Sequence, residues 1–240
     1  YGPELQDVLD TLARVEGELA ELDETGLELG ELTRRLEDVE MNVREGGAEL
    51  SRARAEAGRR LAVEVEAMLP DLGMPGARFR VGLEPLEVPE AGGAERVEFL
   101  ASLNPGFHVR PLARIASGGE LSRVMLALKS VLSRADPVPT LVFDEIDAGI
   151  GGEVAVTVAT KLQDVGRLHQ VVVVTHLAQL ASRGRQHLRV EKIERAGRAI
   201  ATVESLEGEG RVREIARMLG GDPDSETSRH HARELLISDH

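Results

Sequence analysis

Thr140-Leu141-Val142-Phe143-Asp144-Glu145 and Val171-Val172-Val173-Val174-Thr175-His176 decide how this chain is read. Each is a short apolar run that ends in polar residues. Runs of this kind read as strands buried on both faces, as in parallel sheets. In open α/β sheets, ligands bind beyond the carboxyl ends of the strands, where Asp144, Glu145 and His176 stand. Two adjacent carboxylates at a buried strand end are costly unless they are solvated, paired or on a metal. Asp144 can hold Mg²⁺ through water, and Glu145 can polarise an attacking water; the alternative is a solvated strand end before a loop.

A third piece, Ser117-Gly118-Gly119-Glu120, opens a helix. After it, Leu121, Val124, Met125, Leu128, Val131 and Leu132 recur at helical spacing. Ser117 stands three residues before Glu120, the capping-box spacing. The glycines let the backbone approach another group closely, and such a helix start is a ready anion site.

Together the three pieces resemble the motifs of ABC-type ATPases. Ser117-Gly118-Gly119-Glu120 resembles the signature motif, Leu141–Glu145 a Walker B strand with its glutamate, Asp147-Ala148-Gly149 the D-loop, and His176 the switch histidine. The wider wording is more specific. Asn104-Pro105-Gly106, Ile115–Arg123, Phe143–Gly152, Thr175–Gln179, Glu214–Gly221 and His231–Leu236 resemble the bacterial RecN family of DNA repair proteins, which are SMC-like ATPases. The resemblance covers roughly residues 97–237, and the preceding coil by type only. It implies ATP and Mg²⁺ as ligands. Asp144 would position the metal and Glu145 would activate water. His176 would contact the γ-phosphate. Ser117, Gly118, Gly119 and Glu120, with Asp147, would bind nucleotide held by a partner head. It also implies a homodimer formed through ATP-bound heads, with DNA as a partner of the intact protein.

One part of that machinery is missing from the sequence. A phosphate-cradling loop needs G-x-x-x-x-G-K-[ST]. The lysines are Lys129, Lys161 and Lys192, and only Lys129 precedes a Ser or Thr, in mid-helix without a glycine before it. There is no Walker A motif and no recognisable Q-loop. Two buried parallel strands also cannot cover themselves. The missing strands should come from elsewhere, and the resemblance implies a head whose two halves a coiled coil separates in sequence. On that resemblance the expected fold class is α/β: the C-terminal lobe of an ABC-type head with an incomplete sheet, preceded by a coiled-coil arm. The resemblance likewise implies an N-terminal head half carrying Walker A as partner, and the chain reads as a piece that is inactive alone. The rival readings are another SMC/Rad50-type head, or a non-catalytic coiled-coil dimerisation scaffold.

Composition bounds the rest. The chain has 240 residues, 42% of them hydrophobic but only 2% aromatic, so its core must be aliphatic. Without cysteine, disulfides and thiolate zinc sites are excluded. No secretory signal or membrane-length apolar run is present, so the cytoplasm is the default expectation, and the resemblance implies association with the nucleoid. Of the net charge of −13, residues 1–69 carry −10, with 18 acidic and 8 basic residues. That balance argues against a DNA-binding face on the arm, because duplex DNA is a dense line of negative charge.

The arm itself, residues 1–69, shows a heptad seam at Leu5, Val8, Leu12, Val15, Leu19 and Leu22. The seam restarts out of phase at Leu29, Leu32, Leu36, Val39 and Val43. A break near residues 24–26 is expected between them, with Gly26 as a C-cap. Residues 70–240 form the lobe. Its first strands, around 79–83 and 97–103, are expected to be joined by a long turn over Pro89–Ala94. Helices are expected at about 118–134, 152–165, 177–182, 209–219 and 225–237, with a hairpin around Ala196-Gly197-Arg198. Arg110, Arg114 and Arg123 flank the signature and suit phosphate steering or acids across a dimer interface. Arg183, Arg185 and Arg189 read as a mixed surface hairpin, and His230-His231 as a solvated helix face.

Overall fold

The structure is a computed structural model that describes residues 4–195 and 198–237. Its elements, in order, are α1 (Leu5–Met68), β1 (Arg78–Glu90), β2 (Gly93–Ser102) and β3 (Arg110–Pro111), then a single 3₁₀ turn at Leu112–Arg114. They continue with α2 (Gly118–Leu132), β4 (Thr140–Phe143), α3 (Gly152–Val165), β5 (Gln170–Val173) and α4 (Ala178–Ala181). The last are β6 (His187–Arg195), β7 (Arg198–Leu206), α5 (Gly208–Met218) and α6 (Glu226–Ile237).

Two expectations fail here. The helix runs without interruption from Leu5 to Met68, through the expected break at residues 24–26. A glycine inside a helix costs only about 1 kcal/mol. Ending one helix and starting another there would leave up to about eight backbone groups to satisfy. The phase change in the apolar seam is therefore carried within one helix. The long turn over Pro89–Ala94 is also absent: β1 and β2 extend until only Ala91 and Gly92 separate them. Pro85 and Pro89 are tolerated because β1 lies at the edge of the β1-β2-β3 sheet. Being four residues apart, they lack their N–H groups on the same side, and an edge strand can turn that side outward.

The chain divides into two compact units: residues up to Glu56 with Leu83–Arg96, and Ala57–Gly82 with Val97 onward. In the first, the hairpin tip lies against α1. Arg54 donates to the Gly92 carbonyl at 2.6 Å and stands 3.5 Å from the Glu95 carboxylate. Gly93 has φ +116°, and a Cβ there would come within 2.6 Å of Arg54 Nη1. The apolar residues of the seam, from Leu5 to Val43, are solvent-exposed.

The second unit holds the core. Val65, Leu69, Leu72, Phe79, Ala101, Val124, Leu126, Val158 and Val165 are fully buried in one cluster with Leu141, Phe143 and Ile146. Asn104-Pro105-Gly106 is a turn as expected, with Gly106 at φ +86° and Ser102 Oγ bonded to the carbonyls of Asn104 and Phe107. Strands β4 and β5 pair in parallel, with Thr140 opposite Gln170 and Phe143 opposite Val173. Lys129 on α2 pairs with Asp136 and holds its carboxyl below the usual carboxylate range. Asp136 in turn accepts the Val138 N–H at 3.1 Å. His169, buried, lies between the carbonyls of Val138 and Ser133. These contacts lock the end of α2 to the entry of both strands.

One face of β4–β5 carries Leu141 and Phe143 into the core. On the other face Val142 is 68% exposed, Val172 43% and Val174 56%. Parallel sheets are ordinarily covered on both faces. Among the described residues this one is not, and each strand has a single neighbour.

A smaller cluster, Ala178, Val212, Ile215, Ala216 and Ala232, joins α4, α5 and α6. The β6–β7 hairpin has Val190 opposite Val203, and Arg189 pairs with Glu204 at 2.7 Å, as a mixed surface hairpin should. Its turn at Ala196-Gly197 lies outside the described residues.

Candidate active site

Parallel pairing places the ends of β4 and β5 side by side, and the Val174 N–H bonds the Phe143 carbonyl at 2.9 Å. Asp144 and Glu145 follow one strand and His176 the other, so the three residues reach one edge of the sheet. Asp144 and Glu145 are exposed. Asp144 Oδ1 accepts the Glu145 N–H at 2.9 Å, and the Asp144 carbonyl accepts Ser122 Oγ–H at 2.8 Å. Glu145 has φ +55°, the sole positive value for a non-glycine among the described residues. Such a conformation is uncommon for a side-chain-bearing residue and persists where its surroundings hold it.

The start of α2 lies against this residue. Ser117 is its N-cap, and its hydroxyl accepts the Glu120 N–H at a long 3.4 Å. The two glycines that follow touch the Glu145–Ala148 turn. A Cβ on Gly118 would collide with Glu145 Oε2. A Cβ on Gly119 would come within 2.7 Å of Ala148 Cβ and 2.8 Å of the Glu145 carbonyl oxygen. The close approach foreseen for these glycines is thus to a turn of the same chain.

Arg123 completes the join. The sequence suggested phosphate steering or a partner's acids for it. It is instead 4% exposed, and Nη1 donates to the carbonyls of Ile146 at 3.2 Å and Ala148 at 2.8 Å. Burial pulls its pKa below the usual arginine value, and Glu120 partly offsets this. Arg110 and Arg114 stay exposed. Arg123→Met should destabilise the lobe by about 2–3 kcal/mol, because two carbonyls of the turn lose their donor. Thermal unfolding measures this, and an unchanged midpoint would show that the turn holds without the guanidinium.

Asp147, expected to reach nucleotide, is 3% exposed. Its Oδ2 accepts the Thr175 hydroxyl and the His176 N–H at 2.9 Å, and lies 3.2 Å from His176 Nδ1. Thr175 Oγ1 then accepts the Leu177 N–H at 3.0 Å. The His176 side chain is 78% exposed, anchored at one nitrogen. Thr175, Ser122 and Arg123 were not singled out from sequence as supports. All lie inside the motifs, but only burial and bonding partners reveal what they do. His230 meets Glu234 at 3.5 Å on an exposed helix face, and the described residues contain no cluster of three metal-ligating side chains.

The fold is an α/β lobe with a long helix before it, and acidic and histidine side chains follow the ends of its two parallel strands. In structure the chain is similar to the Smc head domain with a coiled coil and joint from Pyrococcus yayanosii, at a TM-score of 0.50 and 22% identity over 90% of this chain and 42% of that one. In sequence the chain is similar to part of the DNA repair protein RecN. It is 44% identical to the DNA repair protein RecN of Deinococcus radiodurans over 98% of its own length and 41% of that protein. It is 45% identical to RecN of Streptomyces coelicolor over 90% of its length and 38% of that protein. The chain spans about two-fifths of the length of the curated relatives it matches. It matches no protein-family model.

Proposed function

We propose that this chain is the C-terminal lobe and coil arm of a RecN-like ATPase acting in DNA double-strand-break repair and recombination, in the cytoplasm at the nucleoid. The observation that carries this reading is a half-built hydrolytic site. Asp144, Glu145 and His176 follow the adjacent C-terminal ends of two parallel strands whose far face is bare among the described residues, while the sequence has no loop to cradle a phosphate. An N-terminal head half with a Walker A motif would cover Val142, Val172 and Val174 and supply that loop.

Asp144 would hold Mg²⁺, and the bound ion would supply charge neutralisation at the phosphates. Glu145 accepts the proton of the attacking water. Asp147 orients His176 through Nδ1 and leaves Nε2 for the γ-phosphate. The start of α2, from Ser117 to Glu120, closes over ATP held by the opposite head of a homodimer. Phosphoryl transfer depends mainly on positioning and charge stabilisation, so dividing the site between heads makes assembly the switch. Among the described residues no helix is long and apolar enough to cross a membrane.

The chain by itself should bind ATP poorly and turn over none. Calorimetry with Mg²⁺·ATP tests this, and micromolar, Mg²⁺-dependent binding would overturn the divided-site reading.

A further inference from the structure

The two signature glycines meet different things. Around Gly119 the obstacles to a side chain include fixed backbone: the carbonyl oxygens of Glu145 at 2.8 Å and Ala148 at 3.1 Å. Around Gly118 the three nearest obstacles all belong to the Glu145 side chain, with Oε2 in collision, Cδ at 3.4 Å and Cβ at 3.9 Å. The backbone conformation of Gly118 does not itself require glycine. Its φ is outside the left-handed region and it is exposed. As the first residue of α2, it would be served better by alanine in helix propensity.

The direction of the Glu145 side chain is set from the other side. Its backbone is held at φ +55° by the Asp144 carboxylate on its N–H and by the Ala148 N–H on its carbonyl at 2.9 Å. The carboxylate is thereby aimed at the opening of α2, where the positive end of the helix favours an anion.

We propose that Gly118 is a positioning residue for Glu145 of its own chain. The missing side chain is the seat that fixes the carboxylate, separately from any contact Gly118 makes with ATP on the opposite head. This rests on the composite-site reading above, and the test separates the two. A contact with the opposite head's ATP impairs the partner's site. A seat for Glu145 impairs the chain's own.

In the full-length protein, Gly118→Ala and Ser117→Arg are each mixed with a subunit disabled at its Walker A lysine. In each heterodimer the single live site uses the variant's own Glu145 and the partner's intact signature. Ser117→Arg should recover activity. Gly118→Ala should recover at least about tenfold less through kcat, with the affinity of its own loop for ATP unchanged. Equal recovery of the two overturns the proposal. So does a lowered melting temperature for Gly118→Ala, which would mark a structural role; alanine should leave it equal or higher. If Ser117→Arg recovers nothing, the composite-site reading fails, and a nucleotide-free crystal structure of Gly118→Ala decides the seat alone. There the Glu145 carboxylate should move by about 1 Å or more to regain ordinary contact distance, with its backbone unmoved. A carboxylate still in place beside a shifted helix overturns it.

Discussion

Glu145→Gln in the full-length protein should lower ATP turnover by about 10²–10⁴-fold while leaving ATP binding intact. Glutamine keeps the volume of the side chain and its fit over Gly118, but it cannot accept a proton from water. The surrounding turn does not depend on the charge, because the backbone of Glu145 is held by Asp144 and Ala148 and the turn by Arg123. With binding intact and hydrolysis slowed, heads closed by ATP should accumulate, which light scattering in the presence of Mg²⁺·ATP reads. Asp144→Asn separates the two acids, since its first effect should be a higher Mg²⁺ requirement. Unchanged hydrolysis by Glu145→Gln would place the base elsewhere.

Ser117→Arg should abolish ATPase activity in the homodimer, yet about half the activity per heterodimer should return when it is mixed with a subunit disabled at the Walker A lysine. The side chain is exposed at the opening of α2, so arginine would obstruct whatever approaches that opening without disturbing the core. Both lesions then fall on one composite site, and the other site is wild type. Losing the cap costs about 1 kcal/mol or less, given the long 3.4 Å bond to the Glu120 N–H, and thermal unfolding checks that the fold survives. Coupling between the sites would reduce the recovery, so ATP-driven dimerisation of the mixture belongs beside the rate. If Ser117→Arg alone keeps full activity and dimerises normally, Ser117 is a helix cap and nothing more.

Much of the lobe could be read from pattern alone, because its elements obey local rules. Gly152–Val165 and the parallel partners Thr140–Phe143 and Gln170–Val173 follow from apolar runs and their stops. Where the reading failed, a non-local balance decided. Asp23–Gly26 looks like a stop, yet continuing the helix costs less than ending it. Pro89 looks like a turn residue, yet an edge strand accommodates it. At the candidate site the residues that converge were visible as motifs, but their divisions of labour were not. Spacing cannot tell that Arg123 is buried, that Asp147 faces Thr175 and His176, or that Gly118 meets a side chain while Gly119 meets a backbone.

The bare side of β4–β5 also bears on handling and biogenesis. Val171-Val172-Val173-Val174 is uncharged, proline-free and rich in β-branched residues, and among the described residues no strand pairs with the other edge of β5. Segments of that kind template intermolecular strand addition when they are left open. A lobe synthesised without the proposed N-terminal half over that face should therefore aggregate by strand addition, and such a half would act on it as an intramolecular chaperone.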